Sequence, residues 1–366
     1  MATERVLHMK DGVGETSYTK NSLLQRKVIM KVKPVLEENV KRLMSNISFD
    51  SCWRVADLGC SSGPNSLLFV SNILSIMDND SICLDQRVPR VFQIYLNDLF
   101  ANDFNTIFKL IPDFYQSIHQ EGHNLRTCFI HATPGNFYGR LFPDDYIHVF
   151  HSSYCLHWLS QAPESSTSEP LNKGNVCVTC TSPPSVYEAY FKQFEKDFKL
   201  FLKSRSEELR SDGIIVLTFL GREKSQKISS SWELIGVVLN NMVQEGLVEE
   251  ENLDFFYLPM YDPTTEEVTH VIEKEGSFTL HTLMTFKIGW DANLQEDVDD
   301  SILDSKTRAE FVAKYIRAVF EPLLLAKFGE DIMDELFSRY AKLVTQHIEL
   351  ETMEYTNIVV SMTKNS

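Results

Sequence analysis

The sequence predicts an α/β fold: a doubly wound, mostly parallel sheet with a mainly helical cap over the site. Short apolar or β-branched runs alternate with stretches of helical apolar spacing, the pattern of strands joined by crossover helices. Small-residue turns follow the early runs, as in "ADLGCSSGPN" at residues 56–65. A chain of 366 residues with 43% hydrophobic content can bury one large core, or a core with a cap.

In order along the chain, residues 1–20 read as a glycine-containing loop. Residues 21–45 carry Leu24, Val28, Val32, Leu36, Val40 and Leu43 at helical spacing, with a kink expected at Pro34. Then come "WRVADLG" (strand), "NSLLFVSNILSIM" (helix), "VFQIYLND" (strand), "DFNTIFKLIPDFYQSI" (helix), "RTCFIHATPG" (strand or loop) and "YIHVFHSSY" (strand). "SDGIIVLTFLG" and, near the C-terminus, "TNIVVSMTK" add further buried strands. A polar loop after Glu164 and an acidic, mobile stretch after Trp290 interrupt the pattern. "SWELIGVVLNNMVQEG" and "RAEFVAKYIRAVFEPLLLAKFG" are helical and placed to cap a cleft; no internal repeat is visible.

Composition excludes several classes. The formal net charge of −16 opposes binding to phosphate backbones, so no nucleic-acid partner is expected. The N-terminus lacks a signal-peptide h-region and no run of about 18 apolar residues spans a bilayer, so the expectation is a soluble, cytoplasmic protein without a membrane partner. Seven cysteines, an odd number, read as reduced core thiols. Cys177 and Cys180 spell C-x-x-C in a strand-like run with no second pair, and no metal site is predicted there. His148 and His151 straddle a strand and read as core or cap histidines.

The opening stretch carries the chemistry. Asp57 precedes a small-residue turn at the end of the first strand, and Asp98 ends the second. The turn lacks the G-x-G-x-x-G of a dinucleotide site. An acid at the end of the second strand is placed to bind a ribose diol. Two acids at adjacent strand ends therefore suit a nucleoside without pyrophosphate, and S-adenosylmethionine fits, its ammonium and sulfonium favouring carboxylates.

In order, "VLHMKDGVGETSYTKNS", "VADLGCSSGPNS", "YLNDLFANDFN", "PGNFYGRLFP", "HSSYCLHWLSQAP", "NKGNV", "KEGSF" and "EPLLLAKFGEDIMDELF" resemble the blocks of the plant SABATH methyltransferases. That family includes salicylate, benzoate and jasmonate carboxyl methyltransferases and the caffeine-pathway N-methyltransferases. The resemblance implies one Rossmann-like methyltransferase unit. Its core would be residues 45–225 with strands near 275–290 and 355–363. Residues 226–265 and 300–350 would form the cap, and residues 1–44 would close the site. It also implies a homodimer, with S-adenosylmethionine as cofactor and a small aromatic acid or purine as acceptor.

By the same resemblance, Asp57, Gly59 and Cys60 line the methionine end of the cofactor, with Tyr18, Ser22 and Asn65 nearby. Asp98 holds the ribose hydroxyls, Leu99 and Phe137 sandwich the adenine, and Asn136 stands where relatives often have Ser. Gln25 and Trp158 match the pair that clamps the acceptor carboxylate in the family's aromatic-acid enzymes. The remaining pocket would be Lys10, Tyr154, His157, Leu220, Ser231, Trp232, Tyr261, Ile316, Val319 and Tyr355. Lys10 also reads as a solvated loop residue, and Trp232 and Val319 as ordinary core. The expected reaction is carboxyl methylation of a benzoate- or salicylate-type acid; xanthine N-methylation and jasmonate methylation are the alternatives. Some relatives bind Mg²⁺ through an Asn, an Asp and an "FN" set. Asn172 and Asp254 match, but Tyr257 stands where Asn is usual, so no metal is predicted.

Overall fold

A computed structural model of the protein describes residues 7–46, 52–81, 91–120, 127–163, 169–223, 230–292 and 303–365, together with Pro89. The start of the polar loop after Glu164 and most of the acidic stretch after Trp290 lie outside the described residues.

After a 3-10 turn at Tyr18–Lys20, helix α1 (Leu23–Asn46) continues through Pro34 as a single element. It buries Val28, Val32, Leu36, Val40 and Leu43, the face that the spacing predicts. Strand and helix then alternate through β1 (Cys52–Leu58), α2 (Pro64–Ser81), β2 (Val91–Asp98), α3 (Phe104–Gln120), β3 (Thr127–Pro134), β4 (Ile147–Ser153), α4 (Pro184–Glu208) and β5 (Leu209–Gly221). The chain goes on through α5 (Glu233–Gln244), α6 (Glu250–Asp254), α7 (Thr265–Glu275), β6 (Phe278–Gly289), α8 (Ser305–Phe328), α9 (Met333–Leu350) and β7 (Glu354–Lys364).

The seven strands form one sheet in the order β3-β2-β1-β4-β5-β7-β6. Strands β1 to β5 are parallel, and β7 inserts antiparallel between β5 and β6. Alternation along β5 serves two cores. Ile214 and Val216 join the cluster beneath α1, α2 and α3, whereas Ile215, Leu217 and Phe219 join the one beneath α4 and α7. A third cluster gathers α5, α6, α8 and α9 with Trp290; it reaches the sheet at Leu220 and Tyr355, and the chain after β4 at Trp158. The strand order reverses between β1 and β4, and ligands in such sheets bind beyond the carboxyl ends of the strands at that point.

Some elements differ from expectation. Helices α4 and α7 are not among the predicted elements, although in α4 Val186, Tyr190, Phe194, Phe198 and Phe201 bury a face at helical spacing. The C-x-x-C run is irregular chain, not strand. Its backbone is held by local side chains: Asn172 donates to the Cys177 carbonyl at 2.6 Å, and the Thr179 N–H donates to Ser182 Oγ at 2.9 Å.

Candidate active site

The turn after β1 is built by its neighbours. Gly59 and Cys60 both donate their N–H groups to the Asn97 carbonyl, at 2.8 and 2.9 Å. The fully buried Asn97 amide in turn donates to the Thr133 and Gly135 carbonyls. One side chain thus ties the ends of β2 and β3. Gly59 has φ +76°, and a Cβ there would lie 2.2 Å from Cys155 Sγ, so the turn requires glycine. Beside it, Asp98 accepts from the Ser61 and Leu99 N–H groups, both at 2.7 Å, which fixes its two oxygens. Burial raises its carboxyl to about 6 against the pull of those bonds.

From this turn a cavity of about 130 Å³ runs to the helical cap. Tyr18, Gly59, Asp98, Leu99, Asn136 and Phe137 line the sheet end; Gln25, Tyr154, His157, Trp158, Leu220, Trp232, Ile316, Val319 and Tyr355 line the cap end. The other predicted residues lie off the lining. Asp57 sits behind it, its Oδ1 2.7 Å from His151 Nδ1. The Cys60 thiol turns to the Ser61 carbonyl, and Asn65 donates to the Ser22 carbonyl at 2.9 Å. Lys10 pairs with Glu321 at 2.5 Å, Ser231 Oγ lies 2.5 Å from the Tyr355 hydroxyl, and Tyr261 donates to Glu267 at 3.0 Å. His148 accepts from the Arg54 N–H as a core histidine.

Sequence reasoning misses Leu7, His8 and Met9, which the Lys10 N–H bond to the Ala318 carbonyl draws over the cavity. Tyr315 and Phe320 are also lining residues, and they flank the predicted Ile316 and Val319 on α8.

The cap end is apolar and uncharged. Trp158 is buried, packs on Phe320 at 5.5 Å, and holds its backbone through a Met260 bridge and a 2.5 Å bond from the Tyr138 hydroxyl. Gln25 is equally buried and its Oε1 has no hydrogen-bond partner among the described residues. His157 Nδ1 accepts from the Leu220 N–H at 3.2 Å, which puts the ring proton on Nε2. Burial drops its pKa to about 3, so the imidazole is neutral at physiological pH. Tyr154 adopts φ +62°, a costly conformation for a bulky residue, and its hydroxyl donates to Asn357 at 2.7 Å. Trp232 stacks on Tyr355 with ring centroids 6.0 Å apart and 6° between planes. Burial raises the Tyr154 and Tyr355 hydroxyls, so both stay protonated.

The residues that match a Mg²⁺ site do not fit one. The Tyr257 hydroxyl donates to the Asp254 carbonyl at 2.6 Å and accepts from the Asn172 N–H. Asn172 Oδ1 accepts from Ser182 and Asn175, and Asp254 accepts from the Gly174 N–H with Lys173 Nζ 3.6 Å away. The donor set is already committed, with an ammonium beside its carboxylate.

Residues 4–365 match the family described as "SAM dependent carboxyl methyltransferase". The chain is similar to a probable jasmonic acid carboxyl methyltransferase of Theobroma cacao, at 44% identity over all of both chains. It is 42% identical to a probable caffeine synthase of Coffea canephora over all of this chain and 98% of that one. With a benzoic acid/salicylic acid carboxyl methyltransferase of Petunia hybrida it shares 41%, covering all of this chain and 99% of that one. The solved structure of a loganic acid methyltransferase with SAH aligns at a TM-score of 0.85 and 31% identity, covering 98% of this chain and 99% of that one. Asp98 beside a glycine turn, with Leu99 and Phe137 as apolar walls, suits the ribose and adenine of such a ligand. No helix among the described residues is long and apolar enough to cross a membrane. With its seven-stranded sheet and this site, the chain belongs to the SABATH family of S-adenosylmethionine-dependent methyltransferases.

Proposed function

We propose that the chain methylates the carboxylate of a small aromatic acid of the benzoate or salicylate type, releasing the methyl ester and S-adenosylhomocysteine. The observation that carries this reading is that Gln25 and Trp158, both buried, line the uncharged aromatic end of one cavity. An acid with a pKa of about 4 is already ionised at neutral pH and needs no general base. The cap end fits that requirement, because its His157 and tyrosines are all neutral there.

S-adenosylmethionine, when bound, supplies the electrophilic methyl group. The chain's own work is alignment. The Gln25 amide and the Trp158 indole N–H would hold one carboxylate so that an oxygen faces the methyl side, while the aromatic walls exclude water. Alignment of two bound reactants supplies about 7–11 kcal/mol of such a barrier. The Trp232–Tyr355 stack presents a flat face that suits a ring better than an aliphatic tail such as jasmonate's.

Purine N-methylation is the second reading. The unpartnered Gln25 Oε1 is an acceptor for a ring N–H, and His157 Nε2 a donor for a ring carbonyl. A transfer assay with labelled S-adenosylmethionine against benzoate, salicylate, anthranilate, jasmonate and the xanthines separates the two. Turnover of xanthines alone rejects the carboxylate reading. In the aromatic-acid case, Gln25→Ala and Trp158→Ala each remove a bond to a charged group, worth about 1.5–3 kcal/mol or roughly ten- to a hundredfold in kcat/KM. Affinity for S-adenosylhomocysteine should hold. Equal losses in both would contradict these roles. We take the enzyme to be a cytoplasmic homodimer, as the resemblance implies; sedimentation as a single 42.1 kDa copy would oppose the dimer.

A further inference from the structure

Behind the cap end of the main cavity lies a second one of about 40 Å³. Leu220, Trp232, Met260 and Tyr355 line both, so these four side chains are a shared wall. The far side is polar, with Arg222, Tyr187, Tyr261 and Asp262. Arg222 is already committed to the Tyr187 hydroxyl and to Glu267, and the Tyr261 hydroxyl also donates to Glu267. Asp262 is different. Its Oδ1 is buried and accepts no hydrogen bond from any described residue, and burial raises the carboxyl to about 7 with Arg222 opposing.

A buried acceptor without a donor is rare and costly, and its persistence calls for a reason. The fold gains nothing from a carboxylate there that a neutral side chain would not supply at lower cost. Its charge also reaches the Tyr154 and Tyr355 hydroxyls, which line the acceptor cavity.

We propose that the second chamber is a distal subsite for the methyl acceptor, in which Asp262 accepts a hydrogen bond from a hydroxyl or N–H group at the far end of an acid longer than benzoate. The inference rests on the carboxylate reading above and names the class of acid that the site takes. Gln25 and Trp158 line the same chamber as the shared wall, so the body of an acid held by them has that wall within its chamber. Met260, unbranched and adaptable, is the member of that wall that yields most easily.

The test compares kcat/KM for benzoate, 4-propylbenzoate and 4-(3-hydroxypropyl)benzoate in the wild type and in Asp262→Ala, with melting temperatures alongside. The wild type should favour the hydroxypropyl acid over the propyl acid by about tenfold or more. In Asp262→Ala the two extended acids should converge to within about twofold, with benzoate turnover unchanged. Loss of a carboxylate whose Oδ1 is buried without a donor should leave the melting temperature equal or higher. Equal rates for the two extended acids in the wild type overturn the subsite, and that comparison decides even where the variant fails to fold. A preference that survives in Asp262→Ala overturns the assignment to Asp262. Inert acids alongside methylated xanthines overturn the carboxylate reading itself and the subsite with it, whereas good benzoate turnover without discrimination overturns the subsite alone.

Discussion

In the proposed cofactor site, Asp98 is the residue whose charge state should govern binding. Its carboxyl is raised from 3.8 to about 6, so it gains a proton as pH falls through that value. The protonated form has a weaker claim on a ribose diol, because its two oxygens already accept the Ser61 and Leu99 N–H groups and one now carries hydrogen. Affinity for S-adenosylhomocysteine should therefore be level near pH 7 and about tenfold lower at pH 5, one unit below the shifted value. Calorimetry at the two pH values checks this, and Asp98→Asn should flatten the dependence; an unchanged wild-type affinity would sink it. Asp98 is legible in the sequence because an acid at a strand end is a local signal. Asn97, beside it, carries no such signal. Its work lies in bonds to the Thr133 and Gly135 carbonyls, more than thirty residues away. The Lys10–Glu321 pair, its members 311 positions apart, is illegible for the same reason.

At the scale of elements, α4 holds the loop that carries Phe137. Arg205 and Glu208, both fully buried near its C-terminus, pair at 2.7–2.8 Å. Arg205 also donates to the Phe137 and Gly139 carbonyls, while Glu208 accepts from the Leu141 and Phe142 N–H groups. Burial pulls the guanidinium down to about 10, which leaves it charged at neutral pH. Glu208→Ala strands that charge, and stranding a buried ion costs about 3–5 kcal/mol. Urea unfolding should show that loss, with weaker binding of S-adenosylhomocysteine as the Phe137 wall loosens. Arg205→Met in the same chain should recover only part of the stability, because the Leu141 and Phe142 donors stay unpaired. Full recovery would show that Glu208 matters only to Arg205. Elements with an exposed flank, such as α1, are legible from their apolar spacing. Helix α4 has that spacing too, but its chemistry sits in two charged residues that a sequence places on a solvated face.

Across the whole molecule, the proposed cofactor and acceptor ends of the cavity share the sheet's carboxyl edge, and the helical cap is added only at the acceptor end. The sheet end stands on β1, β2 and the loops that Asn97 and Arg205 pin, within the two clusters that flank the sheet. The acceptor end adds α8 and the chain before α5, within the cluster that α9 closes, to Gln25 on α1, the chain after β4, Leu220 on β5 and Tyr355 on β7. The sequence shows the first part well, since its signals are strand ends and turns, and the second only through the resemblance, since a helical apolar stripe does not reveal which side faces a cavity. This division predicts separable effects. Val319 is partly buried, lines the acceptor end, and packs against the cap cluster without belonging to its buried core. Val319→Phe should narrow the cavity and redistribute acceptor preference by about 1–3 kcal/mol, the range of a methylene or two in an apolar pocket, with S-adenosylhomocysteine affinity within about twofold of wild type. Asp98→Asn should do the reverse, weakening the cofactor while leaving the ranking of acids in place. Relative kcat/KM across the acid panel, beside calorimetry on each variant, reads both at once. Joint movement of cofactor affinity and acceptor ranking in either variant would mean that cap and sheet close over the two ligands as one unit, with acceptor choice set by that closure.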